Sequence, residues 1–299
     1  MSFSAAQLKN KMRRRLGDVR RRLRARPSRT RRQKESLLTD ASLPPRERDL
    51  LSLIESRISP NDGMYKGDGN HYFKVGLSAI NCIDKAIAAA GLGDPKRVLD
   101  LPCGHGRVLR FLVQRFPDAS FTACDLDANG VDFCAQVFSA RGAYSSPNLS
   151  GLSLEMQFDL IWCGSLITHL DKPRIVELLR FLQLHLAPGG LLIFTAAGDR
   201  VVEWMLSSEF DYGIEKSAIP RITSQYRDSG YAYSDYPYMP DYGISLTSPH
   251  WIRDRVEALA GLREVYFAAH GWDNHQDVFG CVKTEEHRGS VSLQVSDKL

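Results

Sequence analysis

The sequence lacks three features that would each place it in a familiar class of protein. No apolar run in its 299 residues approaches the roughly 20 residues of a membrane-spanning helix, and no signal-peptide pattern is present. The six cysteines form no Cys-x-x-Cys pair and several lie in apolar runs, which is typical of reduced, packed thiols. No group of residues has a recognised metal-ligand spacing. We therefore expect a cytoplasmic protein without a bound metal.

Acidic residues are scarce at the amino end of the chain. Residues 1–35 hold 14 lysines and arginines against Asp18 and Glu35, so this segment is strongly basic and the rest is acidic. Apolar residues at helical steps predict an amphipathic helix that ends at Pro27. Residues 1–26 are expected either to lie on an anionic membrane surface, at its inner face, or to form a solvated arm. A mitochondrial transit peptide has a similar pattern, whereas nucleic-acid binding is disfavoured because almost no aromatic residue interleaves the arginines.

The stretch from Val98 to Arg107 has the pattern of a buried strand, a glycine turn and a helix start, and the next strand ends in Asp125. In a nucleotide-binding βαβ unit the glycines let the backbone approach the ligand, and such an acid accepts hydrogen bonds from ribose hydroxyls. A dinucleotide fingerprint would place a third glycine at the position of Leu109. Asp100, beside the turn, would repel a pyrophosphate but suits a cationic ligand such as a sulfonium amino acid.

These residues resemble the motifs of the class I (Rossmann-like) S-adenosylmethionine-dependent methyltransferases. The family's first motif, acid-x-Gly-x-Gly-x-Gly, is matched by Asp100, Gly104 and Gly106, with Pro102 in place of the first glycine. Asp125 matches the second motif. Two later motifs match residues 158–164 and 186–190, so that the four lie in order within residues 90–200. The resemblance implies an enzyme that transfers a methyl group from S-adenosyl-L-methionine (EC 2.1.1.-).

The resemblance also implies where this cofactor binds. Asp125 would hold the ribose hydroxyls, the glycines would leave room for the methionine part, and Ser145, or else Ser146, would contact adenine. The implied cofactor-binding residues are Asp100, Pro102, Cys103, Gly104, Gly106, Asp125, Leu126, Ser145, Cys163 and Gly164.

Strand and helix patterns alternate along the chain, which predicts an α/β fold. We expect a seven-stranded, mostly parallel, doubly wound sheet with an antiparallel C-terminal hairpin, plus the basic N-terminal helical arm. The expected domains are an arm and linker over residues 1–60, a methyltransferase domain over 61–285 with an aromatic insertion at about 199–248, and a polar tail over 286–299. A helix over residues 77–90 should precede the first strand, and Tyr65 and Tyr72 would either cover the site or pack this helix on the sheet.

The loops that follow the strands meet at one edge of such a sheet. They contain three histidines that are candidates to take a proton from an oxygen acceptor, namely His169, His275 and His270. The alternative for each histidine is a packing or capping role. The segment after the fourth strand, 163–166, lacks the Asn/Asp-Pro-Pro-Tyr-like motif of enzymes that methylate base amines or glutamine amides, which favours oxygen methylation.

The insertion at about 199–248 is unusually rich in tyrosine. Aromatic faces with hydroxyls suit a sugar ring, an aromatic acceptor or a partner protein, and the alternative is a β-hairpin stabilised by cross-strand aromatic pairs. The predicted acceptor contacts are Tyr231, Tyr233, Tyr238 and Trp272. The sequence thus predicts O-methylation of a hydroxyl on a glycan or small molecule. Two alternatives stay open: a non-catalytic scaffold at a membrane, and an RNA methyltransferase that the basic arm tethers to phosphates.

Overall fold

The computed structural model describes residues 29–237 and 239–284. The predicted basic arm over residues 1–26, the polar tail over 286–299 and Tyr238 lie outside the described residues. Within the described ranges, no helix is long and apolar enough to cross a membrane. All six cysteines are free and buried, which agrees with packed thiols.

The described chain alternates strands and helices. The strands are β1 (Arg97–Asp100), β2 (Ser120–Asp125), β3 (Arg141–Tyr144), β4 (Phe158–Cys163), β5 (Leu186–Ala196), β6 (Tyr231–Tyr236), β7 (Met239–Thr247), β8 (Leu262–Trp272) and β9 (Gln276–Lys283). The helices are α1 (residues 29–38), α2 (Pro45–Leu53), α3 (Gly69–Ala90), α4 (Leu109–Arg115), α5 (Ala128–Phe138), α6 (Lys172–His185), α7 (Asp199–Leu206), α8 (Ile219–Ser229) and α9 (Pro249–Glu257). Short 3₁₀ turns lie at Leu149–Gly151, Ile167–His169 and Lys216–Ala218.

One seven-stranded sheet organises the fold, in the order β3-β2-β1-β4-β5-β9-β8. The pairs among β1 to β5 are parallel, and β9 runs antiparallel between β5 and β8. The predicted α/β sheet with an antiparallel C-terminal hairpin is therefore confirmed. The first two parallel connections run outward from β1 and the chain then crosses to β4, so a crevice opens at the carboxyl ends of β1 and β4.

Both faces of the sheet are covered, as the near-continuous apolar runs of its central strands require. Successive side chains of a strand point to opposite faces, so Val98 belongs to one buried cluster and Leu99 to the other. In β4, Trp162 and Ile161 are divided in the same way. The helices α3 and α4 contribute to the first cluster, whereas α6 and α9 contribute to the second.

Several element boundaries differ from the sequence prediction. Helix α3 begins at Gly69, eight residues before the expected start, because the Asp68 side chain caps it by accepting from the His71 amide at 3.1 Å. The glycine-rich composition before Asp68 hides this cap in the sequence. Helix α4 begins at Leu109, just beyond the Val98–Arg107 stretch in which the sequence predicts a helix start, because the backbone at Gly106 has φ +74° and is not helical.

The segment predicted as a linker packs into the main core. Leu37, Leu51 and Ile58 are almost completely buried, and they belong to the same cluster as Val98 of β1. Tyr72 is buried as well, with its hydroxyl donating to Asp62, so it packs α3 and does not cover a site. The expected boundary at residue 60 therefore does not separate two packed units.

The insertion contains α7, α8 and the hairpin of β6 and β7. It has a small core of its own, in which Val201, Ile222 and Leu246 are buried. Strands β6 and β7 pair antiparallel from Tyr231 opposite Thr247. The insertion is thus a packed subdomain beside the carboxyl edge of the sheet.

Helix α2 offers a matched pair that tests whether residues 29–60 are part of the folded core. Leu51 is fully buried, whereas Leu53, on the same helix, is 62% exposed. We expect Leu51→Ala to lower the free energy of unfolding by about 2–5 kcal/mol, because it removes buried methyl groups and leaves a cavity. Leu53→Ala should change it by less than about 0.5 kcal/mol. Urea unfolding of both variants measures the difference, and equal, small effects would show that α2 is not part of the core.

Candidate active site

The carboxyl ends of β1, β2 and β4 meet at one edge of the sheet and build a cradle around the glycine turn. The amide of Cys103 donates to the Cys124 carbonyl at 3.0 Å, which ties the turn after β1 to the end of β2. Gly104 has φ +48°, and a Cβ built there would meet nothing within 4 Å, so open space lies above it. At Gly106 a Cβ would overlap the Phe138 ring, so a side chain there would disturb the packing of α5.

Asp125 is held at this cradle by two backbone amides. Its Oδ2 accepts from the Gly104 amide at 2.7 Å, and its Oδ1 accepts from the Asp127 amide at 2.9 Å. Each carboxylate oxygen can accept a further hydrogen bond. The carboxylate is therefore fixed in orientation beside the open space above Gly104, with acceptor capacity left for a ligand such as a diol.

Asp100 lies beneath the same turn and is almost completely buried, with 2% of its surface exposed. Its Oδ2 has no hydrogen-bond partner in the described part of the chain. Burial raises the pKa of this carboxyl well above its usual value, and the Asp125 charge adds to the effect, while Arg107 opposes it. A buried acid with an unpaired oxygen is a site where a cation would be stabilised.

The other residues implied for cofactor binding lie around the cradle. Pro102 and Cys103 belong to the turn after β1, with Cys103 buried. Leu126 is 57% exposed after β2, and the backbone amide of Ser145 donates to the Asp125 carbonyl at 2.9 Å. Cys163 is buried at the end of β4, and Gly164, which follows, leaves room for the Trp162 ring. The fold thus brings the predicted set together at one edge.

Arg110 connects this cradle to the N-terminal segment. Its guanidinium is fully buried and donates to the carbonyls of Gly106, at 2.9 Å, and of Glu55 and Arg57, at 2.8 and 3.0 Å. It also donates to the Tyr72 hydroxyl at 3.3 Å. The glycine turn therefore depends on residues that the sequence analysis placed in a linker.

A cavity of about 290 Å³ adjoins the cradle. The turn after β1, the segments after β4 and β5, the hairpin β6–β7 and the β8–β9 turn all contribute to its wall. Its lining residues are Met64, His71, Val75, Arg107, Ser165, Thr168, His169, Ala197, Val201, Tyr212, Tyr236, Ile244, Trp272, Asp273, His275 and Gln276. The cavity has room for on the order of ten water-sized groups at about 30 Å³ each, which suits a small acceptor.

His169, one of the three predicted bases, lines the cavity. Its Nδ1 lies 3.1 Å from the Gly243 carbonyl oxygen and 2.9 Å from the Tyr236 hydroxyl. A carbonyl only accepts, so Nδ1 carries the hydrogen and Nε2 keeps its lone pair. Burial lowers the pKa of His169, which keeps the ring neutral, although the Gly243 hydrogen bond opposes this shift. Neutral Nε2 is able to accept a hydrogen bond or a proton.

The other two predicted histidines differ in position. His275 lines the cavity, stacks on Trp204 and Tyr212, and has its Nε2 at 2.9 Å from the Tyr212 hydroxyl. Burial lowers the pKa of His275. His270 does not line this cavity; its Nδ1 accepts from Arg200 at 3.4 Å and its amide donates to Asp277. In this structure His270 is therefore not placed to reach an acceptor in the cavity.

The turn between β8 and β9 is fixed against α3. Asp273 and Asn274 both have positive φ, near +57° and +51°, a conformation that Asp and Asn tolerate better than most residues. The Trp272 indole donates to the Val75 carbonyl at 3.0 Å. This anchors the turn, so Trp272 and His275 reach the cavity from a rigid support.

The structure places the predicted acceptor contacts in different surroundings. Trp272 lines the cavity, whereas Tyr231 and Tyr233 line a separate surface depression on the hairpin and the α8 side. Tyr238 lies outside the described residues. Two other tyrosines of the insertion, Tyr212 and Tyr236, line the cavity instead. Within residues 29–237 and 239–284, no three His, Cys, Asp or Glu side chains are grouped to hold a metal ion.

The family of the central domain follows from a comparison with known proteins. Residues 99–192, which run from β1 into β5, match a protein-family model described as a methyltransferase domain. This segment resembles the methyltransferase domains that the model describes, and we refer to it as the methyltransferase domain. It contains the glycine turn, Asp125 and His169, so it supplies both the cradle and one wall of the cavity.

Curated relatives resemble the methyltransferase domain over part of their length. A malonyl-[acyl-carrier protein] O-methyltransferase of Halalkalibacterium halodurans is 25% identical over 156 residues, which are 48% of this chain. A fatty-acid O-methyltransferase of Mycolicibacterium smegmatis is 31% identical over 123 residues, which are 40% of this chain. The chain spans 55% and 44% of the length of these two relatives.

A solved structure shares the fold of the methyltransferase domain. Streptomyces venezuelae DesVI superposes with a TM-score of 0.50 and 14% identity, covering 74% of this chain and 95% of that chain. At this identity the likeness concerns the fold alone.

The buried Asp100 carboxyl should lower the free energy of unfolding at neutral pH. A carboxyl whose pKa is higher in the folded than in the unfolded protein binds protons more tightly when folded, so stability falls as pH rises above its unfolded value, about 3.9. We expect Asp100→Asn to raise the free energy of unfolding at about pH 7, with a gain that shrinks toward about pH 4. Urea unfolding at both pH values measures this gain.

The exposed Asp118 provides a control for this experiment. Asp118→Asn should change the free energy of unfolding by less than about 0.5 kcal/mol at either pH. A gain for Asp100→Asn that stays constant with pH, or a loss at neutral pH, would contradict the role assigned to the buried charge.

Proposed function

We propose that this protein transfers the methyl group of S-adenosylmethionine to an oxygen atom of a small organic acceptor. The observation that carries the proposal is the cradle itself: an oriented Asp125 carboxylate beside open space above Gly104, with a cavity next to it. The matched methyltransferase family supports methyl transfer. The two relatives are both O-methyltransferases, which supports oxygen as the acceptor atom.

The chain's own residues fit the cofactor. Asp125 would accept hydrogen bonds from the two ribose hydroxyls, and Leu126, exposed beside it, would cover the nucleoside. The unpaired Oδ2 of Asp100 would stabilise the positive charge of the amino-acid part. Gly104 leaves the backbone open at the turn after β1.

The protein's contribution to the reaction would be alignment. When bound, S-adenosylmethionine supplies a methyl group already activated by a positively charged sulfur. The residues of the cavity would hold an acceptor oxygen in line with that group and exclude water, which is the main requirement of such a displacement. A hydroxyl acceptor would also need a base, and His169, with its free Nε2, is the predicted histidine that best meets this need.

The nature of the acceptor and the role of the basic arm stay predictions. The cavity size is compatible with a small molecule or a single sugar, and it favours neither. The membrane, scaffold and RNA hypotheses depend on residues 1–26, which lie outside the described residues. They therefore stay predictions, and the first test concerns the cofactor.

Calorimetric titration of the full-length protein tests the proposal directly. S-adenosylmethionine and S-adenosylhomocysteine should bind with micromolar affinity, whereas NAD should not bind. Asp125→Asn should weaken binding of both sulfur compounds by about 10- to 100-fold, because it removes a charged acceptor from two hydroxyl donors.

The exposed Asp118→Asn variant serves as the matched control and should bind like the wild type. If the wild type binds neither sulfur compound, the proposal is wrong and the scaffold alternative gains support. If Asp125→Asn binds normally, the cofactor site lies elsewhere in the chain.

A further inference from the structure

Arg107 is a charged side chain of the cavity that the fold leaves without a polar partner. Across residues 29–237 and 239–284, its guanidinium makes no hydrogen bond and has no carboxylate within 4.0 Å. Its contact is with the Trp272 ring, whose centroid lies 5.7 Å from Cζ. By contrast, Arg110, which is three residues further along the chain, donates five hydrogen bonds. Arg107 therefore differs from Arg110 in that its guanidinium has no polar partner in the described part of the chain.

The acids around Arg107 do not neutralise it at contact distance. Burial lowers the pKa of its guanidinium, and the charges of Asp62, Asp273 and Asp100 oppose this shift from further away. Asp62 accepts from the Tyr72 hydroxyl at 2.6 Å, and Asp273 lies 3.8 Å from His71. Since leaving a part-buried charge unpaired costs free energy, the arrangement favours an anionic ligand beside Arg107.

About half of the other residues that line the cavity are apolar or aromatic, and the rest are polar and include the carboxylate of Asp273. Val75, Val201 and Ile244 supply apolar surface, and Tyr212 and Tyr236 supply rings. The two inner histidines are neutral because burial lowers their pKa values. The cavity thus combines apolar surface with a guanidinium, which matches the chemistry of an amphipathic acid.

We propose that the acceptor is a small carboxylic acid with an apolar body, and that Arg107 binds its carboxylate. This inference rests on the proposed function and specifies its substrate class. A carboxylate forms charge-assisted hydrogen bonds with a guanidinium. A hydroxyl acceptor would leave that charge unpaired in the assembled site.

The reaction balances without a base. A lone pair of one carboxylate oxygen forms the new bond to the donor's methyl carbon, while the bond from that carbon to sulfur breaks and its electron pair stays on sulfur. The products are a methyl ester and a neutral thioether, and no proton moves. His169 would then contact the acceptor without removing a proton.

The change in charge during the reaction predicts how Arg107 affects the kinetics. The carboxylate loses its negative charge as the ester forms, so the guanidinium binds it more strongly before the reaction than in the transition state. Removal of the guanidinium should therefore raise KM without lowering kcat. A residue with a merely structural role would not produce this split.

Matched pairs of acids and alcohols test the proposal. Octanoate with octan-1-ol, and phenylacetate with 2-phenylethanol, are titrated into the full-length protein saturated with S-adenosylhomocysteine. In the wild type each acid should bind about 10- to 100-fold more tightly than its alcohol. Arg107→Gln should abolish this preference, Arg107→Lys should keep part of it, and the exposed Arg180→Gln should leave it unchanged. Methyl ester formation from S-adenosylmethionine then gives KM and kcat.

The donor also has a carboxylate, and a second comparison separates the two sources. S-adenosylhomocysteine has this group, whereas 5′-methylthioadenosine lacks it. Arg107→Gln could weaken the binding of S-adenosylhomocysteine by about 10- to 100-fold and leave the binding of 5′-methylthioadenosine and of the acids unchanged. In that case the guanidinium binds the donor's carboxylate and the proposal is overturned. Wild-type binding of the acids no tighter than the alcohols also overturns it. Failure of S-adenosylhomocysteine to bind the wild type would instead refute the proposed function, so the two failures are distinguishable.

Discussion

The buried guanidinium of Arg110 is the interaction on which the site depends. It holds the carbonyl of Gly106 in the glycine turn and the carbonyls of Glu55 and Arg57 in the N-terminal segment. A buried cation is stable only when its donors are satisfied, so these distant parts of the chain must adopt one relative position. Tyr72, between Arg110 and Asp62, extends the same network into α3. The cradle is therefore shaped from behind by residues that never touch its ligand.

Two unsatisfied groups lie on the ligand side of the cradle. Asp100 has an unpaired buried oxygen, and Arg107 has a guanidinium without a polar partner in the described part of the chain. Both arrangements reduce the stability of the free protein, and such costs are concentrated at functional sites. On the proposed function, a cationic donor would compensate Asp100 and an anionic acceptor would compensate Arg107. Binding would then complete the electrostatics that folding leaves open.

Much of this architecture could be predicted from the sequence, because the signals are local. The glycine turn, the acid at the end of β2 and the alternation of strands and helices are each encoded within a few residues, and they predicted the sheet and the cradle. The N-terminal segment could not be placed in this way. Leu37, Leu51 and Ile58 are separated from the sheet by tens of residues, and only tertiary packing shows that they fill its core. The short apolar pattern of α2 predicted a helix but not its partner.

The tyrosines of β6 show that one more local rule, the alternation of side chains along a strand, improves the prediction of acceptor contacts. Side chains in a strand alternate between two faces, so Tyr231 and Tyr233 of β6 lie on one face, together with the surface depression. Ala232 is one residue out of that phase and is buried in the core of the insertion. Tyr236 has the phase of Ala232, and it reaches the cavity and His169. Counting tyrosines suggested the right segment, but parity decides which of them face the site.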